Sequence, residues 1–415
     1  MKKFVIPIAI ASISLASFAS FASFALSIPK NASASGHPST LCVNAHDKHC
    51  YSTIQAAVNA ASKGATINIA PGTYTEQVTI NKTAVTLTSH NAVINAAGLP
   101  NGLVIDGAAT SGTTVKELAV ENANLEGVLV QDTSHITLQN NTVEFNDKSL
   151  VTGARTCAGA LPLDQMDCGE GIHILSTSYS TITNNTAENN SGGILFSDET
   201  GATRNNYVAY NTVENNKVDC GITLASHGTN TGVYNNVVAH NTSIGNGGAG
   251  VGIFAPIPGT GSYNNTILDN ITKNNADGGV SLHSHSPETN VGGNKIIGNT
   301  ISGNMVHPGS GAPTPAGIVL FADSSHGAPV IKNTTITGNT LSGETIDVYV
   351  GTAQTELALQ ANNLLGGSGT IGVENAGSSG TVNATANYWG CAAGPNHPNC
   401  TTTQGSVNAA LALLK

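Results

Sequence analysis

Charge is scarce in this chain of 415 residues, and positive charge most of all. Only 10% of residues are Asp, Glu, Lys or Arg, and just two are arginine, Arg155 and Arg204. Setting aside Lys2, Lys3 and Lys30 from the 15 Lys and Arg leaves 12 basic residues against 25 acidic ones. A surface of that sign repels a phosphate backbone, which argues against nucleic acid as a partner. So little arginine also limits how the chain grips an anionic sugar polymer. Aromatic residues make up 4% of the chain, with one tryptophan. Tyr179, Tyr207, Tyr210, Tyr234 and Tyr263 are the residues that can stack on sugar rings where exposed. After Leu26 there is no apolar run long enough to span a membrane, and no linker divides the chain into domains.

The one long apolar run lies at the start. Lys2 and Lys3 precede Phe4 to Leu26, and Ala32-Ser33-Ala34 offers a small-residue cleavage site. This pattern predicts a signal peptide over 1–34 and a secreted or cell-surface protein, with an uncleaved anchor as the alternative. The cysteines agree with an oxidising compartment, since six of the seven fall into close pairs: Cys42–Cys50, Cys157–Cys168 and Cys391–Cys400. Cys220 is left over and reads as a small buried residue beside Gly221.

What the chain has in abundance is a repeat. A small residue, an aliphatic, any residue and another aliphatic recur at steps of 22 to 44 residues: GLVI from Gly102, GVLV from Gly127, GIHI from Gly171, GILF from Gly193, GITL from Gly221, GVGI from Gly250, GVSL from Gly279 and GIVL from Gly317. TIDV from Thr345 and TIGV from Thr370 extend the series. Alternation of apolar and variable positions is the signature of a strand with one buried face, and one strand per repeat predicts stacked coils. The expected fold is all-β, a parallel β-helix solenoid of about ten or more coils.

A second element, Asn-Thr-x-x-x-Asn or a variant, runs in step with the first from Asn141, Asn185, Asn211, Asn241 and Asn299, with Asn270 and Asn339 as weaker copies. Asparagine tolerates left-handed turns, and stacked side-chain amides can bond along a column. Asn-x-Ser/Thr sites such as Asn81-Lys82-Thr83 and Asn264-Asn265-Thr266 are therefore read as by-products of these corners rather than glycan acceptors. Long steps near Asp147 to Cys168 and His307 to Pro315 mark insertions. Ser52-Thr53-Ile54-Gln55 fits a capping box, and Ile54, Val58 and Ala61 form the stripe of a helix ended by Gly64, which would cover the first coil. The resulting division is 35–64 for an N-terminal segment with its capping helix, 65–386 for the β-helix and 387–415 for a C-terminal cap.

Thr53-Ile54-Gln55-Ala56-Ala57-Val58, Ala70-Pro71-Gly72-Thr73-Tyr74, the Gly/Ile/Asn-rich coils and the late Asn387-Tyr388-Trp389-Gly390 with Gly394-Pro395 together resemble the right-handed parallel β-helix superfamily that contains pectate lyases and pectin esterases. Handedness is taken from this resemblance. The superfamily hosts lyases, hydrolases, esterases, epimerases and non-enzymatic surface proteins, so it implies no single activity. Its catalytic motifs are mostly missing. Neither arginine sits in an Arg-x-Pro setting, and Ser226-His227-Gly228 is only faintly similar to the Gly-His-Gly of polygalacturonases.

Chemistry can still be sought by placing the strands in register. Thr133, Thr177, Glu199, His227, Pro256, His285 and Asp323 then share one column on the outward face. With rungs about 4.8 Å apart, Glu199 neighbours His227 and His285 neighbours Asp323, while Glu199 and Asp323 stand roughly 19 Å apart. These four are the candidate catalytic residues, with His227 or His285 as acid or base, and the enzyme reading requires that they line one open groove. Neutralising a uronate would fall to a histidine, Lys or bound Ca²⁺. His173, Glu170, Asp219 and Asp277 are candidate substrate-binding residues, the two aspartates lying about 9.6 Å apart by register, near the separation for inverting hydrolysis. His283, His285 and Asp277 form a candidate metal set.

The reading that follows is an exported protein, expected as a monomer, that binds or modifies an extracellular or cell-wall polysaccharide or cell-surface glycan. If it is an enzyme, a lyase or epimerase fits better than a hydrolase or esterase. The alternatives are a non-catalytic surface or matrix rod and a NosD-like periplasmic metal-handling protein.

Overall fold

The structure is a computed structural model that describes residues 39–147, 169–304, 316–322, 331–377 and 380–414. The leader, the Cys157–Cys168 pair, Arg155, Asp323 and most of both insertions lie outside the described residues. The chain from Pro38 onward is one compact unit.

Each coil places one strand in a twelve-stranded parallel sheet whose order follows the sequence without a break, from Val78–Ile80 and Leu103–Asp106 to Ile371–Asn375 and Thr402–Gln404. A second parallel sheet of 21 strands receives two short strands from most coils, such as Thr181–Thr183 and Thr186–Glu188. The repeat aliphatics stack in register, Ile172 on Ile194, Ile222, Val251, Val280, Ile318, Val348 and Val373. All eight are fully buried, and each such side chain contributes about 1.5–3 kcal/mol of transfer free energy.

The repeat glycine faces into this core and has no room for a side chain. A Cβ on Gly221 would stand 2.1 Å from Ser243 Oγ and 2.9 Å from the Gly250 carbonyl. Register corrects the last two repeats. Val348 pairs with Ile318 and Val373 with Val348, so the units begin at Asp347 and Gly372 rather than Thr345 and Thr370. Ile346 pairs with Ala316 and joins it in a small apolar cluster with Val319 and Tyr349, which disguised the true register.

Corners are built from pairs: a residue with positive φ, then a buried asparagine. Asn184, Tyr210, His240 and Asp269 have φ between 52° and 59°, and each precedes a member of a column running Asn141, Asn185, Asn211, Asn241, Asn270, Asn299, Asn339, Asn362 and Asn387. Each Oδ1 in it accepts the backbone N–H of the preceding member, and from Asn185 onward also that member's side-chain amide, as Asn270 does from Asn241 at 2.9 and 3.0 Å. The expected weak copies Asn270 and Asn339 are full members. A second column, Asn146 to Asn304, closes the other end of the motif. A third, which the sequence reading missed, links Asn206, Asn236, Asn265 and Asn294.

At the N-terminus, the helix Ile54–Ala60 packs against the first coils, shorter than the stripe to Gly64 suggested. Thr53, not Ser52, is its cap, and the Glu76 carboxylate accepts the N–H groups of Ile54 and Gln55 at 2.8 and 2.9 Å. Disulfides join Cys42 to Cys50 and Cys391 to Cys400. Among the described residues no helix is long and apolar enough to cross a membrane.

Candidate functional site

The outer face of the twelve-stranded sheet carries a row of titratable side chains linked across successive coils. Glu126 Oε1 lies 3.3 Å from His173 Nδ1, and His173 Nε2 lies 2.7 Å from Ser197 Oγ. Ser197 donates to Glu199 Oε2 at 2.6 Å, and Glu199 Oε1 meets His227 Nδ1 at 2.9 Å. His173 is outward because it alternates with the inward Ile172 and Ile174 on the strand Glu170–Leu175. Glu199 and His227 follow the ends of their strands, so their approach depends on the turns.

Those turns are fixed by Asp198. Its buried carboxylate accepts the His227 N–H at 2.6 Å, the Gly228 N–H at 2.8 Å, the Ser226 hydroxyl at 2.8 Å and the Thr231 hydroxyl at 2.7 Å, and it also binds the Gly232 N–H. A Cβ on Gly228 would stand 2.3 Å from the Asp198 carbonyl. Ser226-His227-Gly228 therefore has a structural reason: its serine and glycine let the loop close on Asp198 and present the imidazole to Glu199. Asp198, Glu126, Ser197 and Phe254 were not found from the sequence. Their only signal was position, one coil away from a histidine.

Burial pushes the Glu199 carboxyl up, but the His227 hydrogen bond, the charges of His173 and His227 and the Ser197 hydroxyl outweigh it and hold it at about 2. It is an ionised orienting group rather than a proton donor near neutrality. The pair is sheltered, with side-chain exposures of 11% for Glu199 and 1% for His227. The expected column is also not uniform. Thr133 and Thr177 are buried, and Thr177 donates to the Leu175 carbonyl, because strand alternation ends where the corner begins.

Past His227 the row turns aromatic. The Phe254 ring lies 6.4 Å from His227, 4.6 Å from His283 and 5.0 Å from His285, centroid to centroid. Burial and then His285 push the His283 imidazole down to about 3, so it stays neutral. Among the described residues no three His, Cys, Asp or Glu side chains converge as metal ligands, so His283 and His285 are brought together without Asp277. Asp277 instead joins Asp219 around Cys220. Burial first, then the charges of Asp219 and Asp277, push that thiol well up, and it accepts the Ala249 N–H at 3.2 Å. Glu170 is fully buried, its carboxylate lying over Gly192, and its N–H donates to Glu126 Oε2 at 2.8 Å.

The model of the right-handed β-helix region matches residues 76–239 and 231–341. The chain belongs to the right-handed β-helix family. No curated protein matches it significantly. Among solved structures, the A-module of the Azotobacter vinelandii mannuronan C-5 epimerase AlgE6 is similar at 16% identity and TM-score 0.52, covering 87% of this chain and 94% of that one. The catalytic domain of a GH87 α-1,3-glucanase in complex with tetrasaccharides is similar at 13% identity and TM-score 0.57, with 90% and 68% covered. The Dettilon tailspike protein follows at 16% identity and TM-score 0.51, with 80% and 66% covered. At such identities this right-handed β-helix shares their fold, and the fold alone.

Proposed function

We propose that this β-helix is an exported protein that binds or modifies an extracellular polysaccharide, laid along the outer face of the twelve-stranded sheet. The observation that carries the reading is the linked row from Glu126 through His173, Ser197 and Glu199 to His227. A solenoid core needs no titratable groups on its outside, and hydrogen-bonded carboxylate and imidazole in series are the parts of acid–base chemistry. Glu199 fixes the tautomer and orientation of His227, as an ionised carboxylate does for a working imidazole. Lyase or epimerase chemistry, in which a proton is taken beside a uronate carboxylate, fits this pair better than hydrolysis by Asp219 and Asp277, which surround Cys220. The relatives in fold whose titles name mannuronan, a glucan and bound tetrasaccharides are in keeping with the ligand class.

One observation favours a second reading, a non-catalytic surface rod: Glu199 and His227 are almost sealed from solvent. Incubation with a panel of uronate polysaccharides, with and without Ca²⁺, separates the two. Absorbance from unsaturated ends, or exchange of the C5 proton with solvent deuterium, supports catalysis. Binding without either leaves the rod, and neither binding nor product across the panel removes the carbohydrate reading.

A further inference from the structure

Five of the nine tyrosines, Tyr179, Tyr207, Tyr210, Tyr234 and Tyr263, gather on one other face of the coil. It lies across the two corners that flank the strands Thr181–Thr183, Tyr207–Ala209 and Val237–Ala239. At the first corner the rings of His135 and Tyr179 stack at 5.4 Å, and the Arg204 guanidinium lies 5.2 Å over Tyr179 and donates to its hydroxyl at 2.8 Å. Tyr234 and Tyr263 continue that corner, stacked at 5.0 Å and 8°. At the second, Tyr210 and His240 stack at 4.9 Å and 11°. Tyr179, Tyr207 and Tyr210 remain 47%, 38% and 54% exposed.

Backbone conformation makes this arrangement costly. His135, Tyr179, Tyr210 and His240 all have φ between 55° and 59°, at corner positions where other coils place Asn140, Asn184, Asn205, Asn235, Asn264, Gly293 and Gly298. Asparagine and glycine adopt this region readily, whereas a bulky ring there is an outlier that folding alone does not favour. Aromatic side chains are thus held outward, in neighbouring coils, against local preference. Such strain concentrates at functional surfaces.

We propose that this aromatic face is a glycan-binding surface, separate from the titratable row, that holds a linear pyranose polymer by ring stacking. A pyranose has an apolar face and a hydroxylated rim, matching the apolar body and polar tip of tyrosine. The rings recur with the rungs, about 4.8 Å apart, which suits a ligand that itself repeats. The Tyr hydroxyls, Thr181, Thr183 and the Arg204 guanidinium supply hydrogen bonds for its rim, and Arg204 gives a carboxylated sugar a positive partner. The ligand class rests on the carbohydrate reading above, but none of its residues are used here.

The test is retardation in native gels containing a uronate polymer or a neutral glucan, alongside thermal melts. Unmodified protein is retarded, and Tyr179→Asn with Tyr210→Asn weakens binding about tenfold or more while the melting temperature is unchanged or rises. Arg204→Gln weakens retardation by the uronate polymer only. Retardation unaffected by the tyrosine substitutions overturns this surface and leaves the carbohydrate reading standing. A fall in melting temperature with unaltered binding shows the rings to be a structural stack, also overturning it. No retardation of the unmodified protein by any polymer overturns both.

Discussion

Asn304 hands its side-chain N–H to a carboxylate, Glu344 Oε1 at 3.0 Å, where every earlier asparagine of that column hands it to another asparagine. Beyond Glu344 the matching place falls at Gly366 and Gly367, and Asp347, in the glycine column and fully buried, brings a second carboxyl there. Burial is the main cause that pushes Glu344 up to about 7 and, with the Glu344 charge, Asp347 up to about 8.

The pair makes stability pH-dependent. Both folded values exceed those of an unfolded chain, so the folded state holds the extra protons and stability falls as pH rises from about 4 through about 8. Asp347→Gly, which restores the repeat residue, is expected to raise the melting temperature more at about pH 9 than at about pH 5, relieving roughly 1–3 kcal/mol of unpaired burial. Circular-dichroism melts of both proteins at the two pH values check this. An equal shift at both would contradict it.

The asparagine columns are expected to be unforgiving. Asn241→Ala would strip acceptors from Asn211 and a donor from Asn270 and the Val208 carbonyl, all buried. The loss is about 3 kcal/mol or more. Asn235→Ala, at an exposed corner with φ 56°, should lose about 1–2 kcal/mol. Denaturant titration of the two variants gives the order directly.

Gly221→Ala tests the crowded interior. Its Cβ would meet Ser243 Oγ, Asn246 Nδ2 at 2.7 Å and the Gly250 carbonyl together. Overpacking of this kind destabilises by about 1–3 kcal/mol, while Gly98→Ala, with nothing within 4 Å, is affected only through its φ of 80°. Urea midpoints should separate the two.

Glu199→Gln should weaken the fold near neutrality by roughly 1–3 kcal/mol. The folded carboxyl is held near 2 against an ordinary 4.5, so the stability it lends is complete above about 4.5 and disappears as pH falls toward about 2. Melts should therefore converge for the two proteins in acid, and parallel curves would deny the Glu199–His227 link.

The core was largely legible in the sequence because inward positions obey one geometric rule: Gly, aliphatic, any, aliphatic. It misled only where Asp347 took the glycine's place and an outward Ile346 mimicked the motif. Glu199 and His227 were found by counting from the strand, and they do meet. Asp198, which brings them together, could not be, since its role depends on how the turn after Ala225 folds back. Neither could the shelter over His227, because exposure is a property of the finished surface. The tyrosines showed in the composition, but not the left-handed backbone that turns Tyr179 and Tyr210 outward.

In the first two asparagine columns every side-chain amide donates toward the C-terminal coil, from Asn141 to Asn185 and onward to Asn387, and from Asn146 to Glu344. The bonds never reverse, so the amide dipoles add along the axis as they do in a helix, with the positive end at the C-terminal side. Glu344 stands at that end of its column as a counter-charge. The rod therefore has an electrical head and tail: its two ends are not interchangeable, and copies that stack end to end can continue the columns only head to tail.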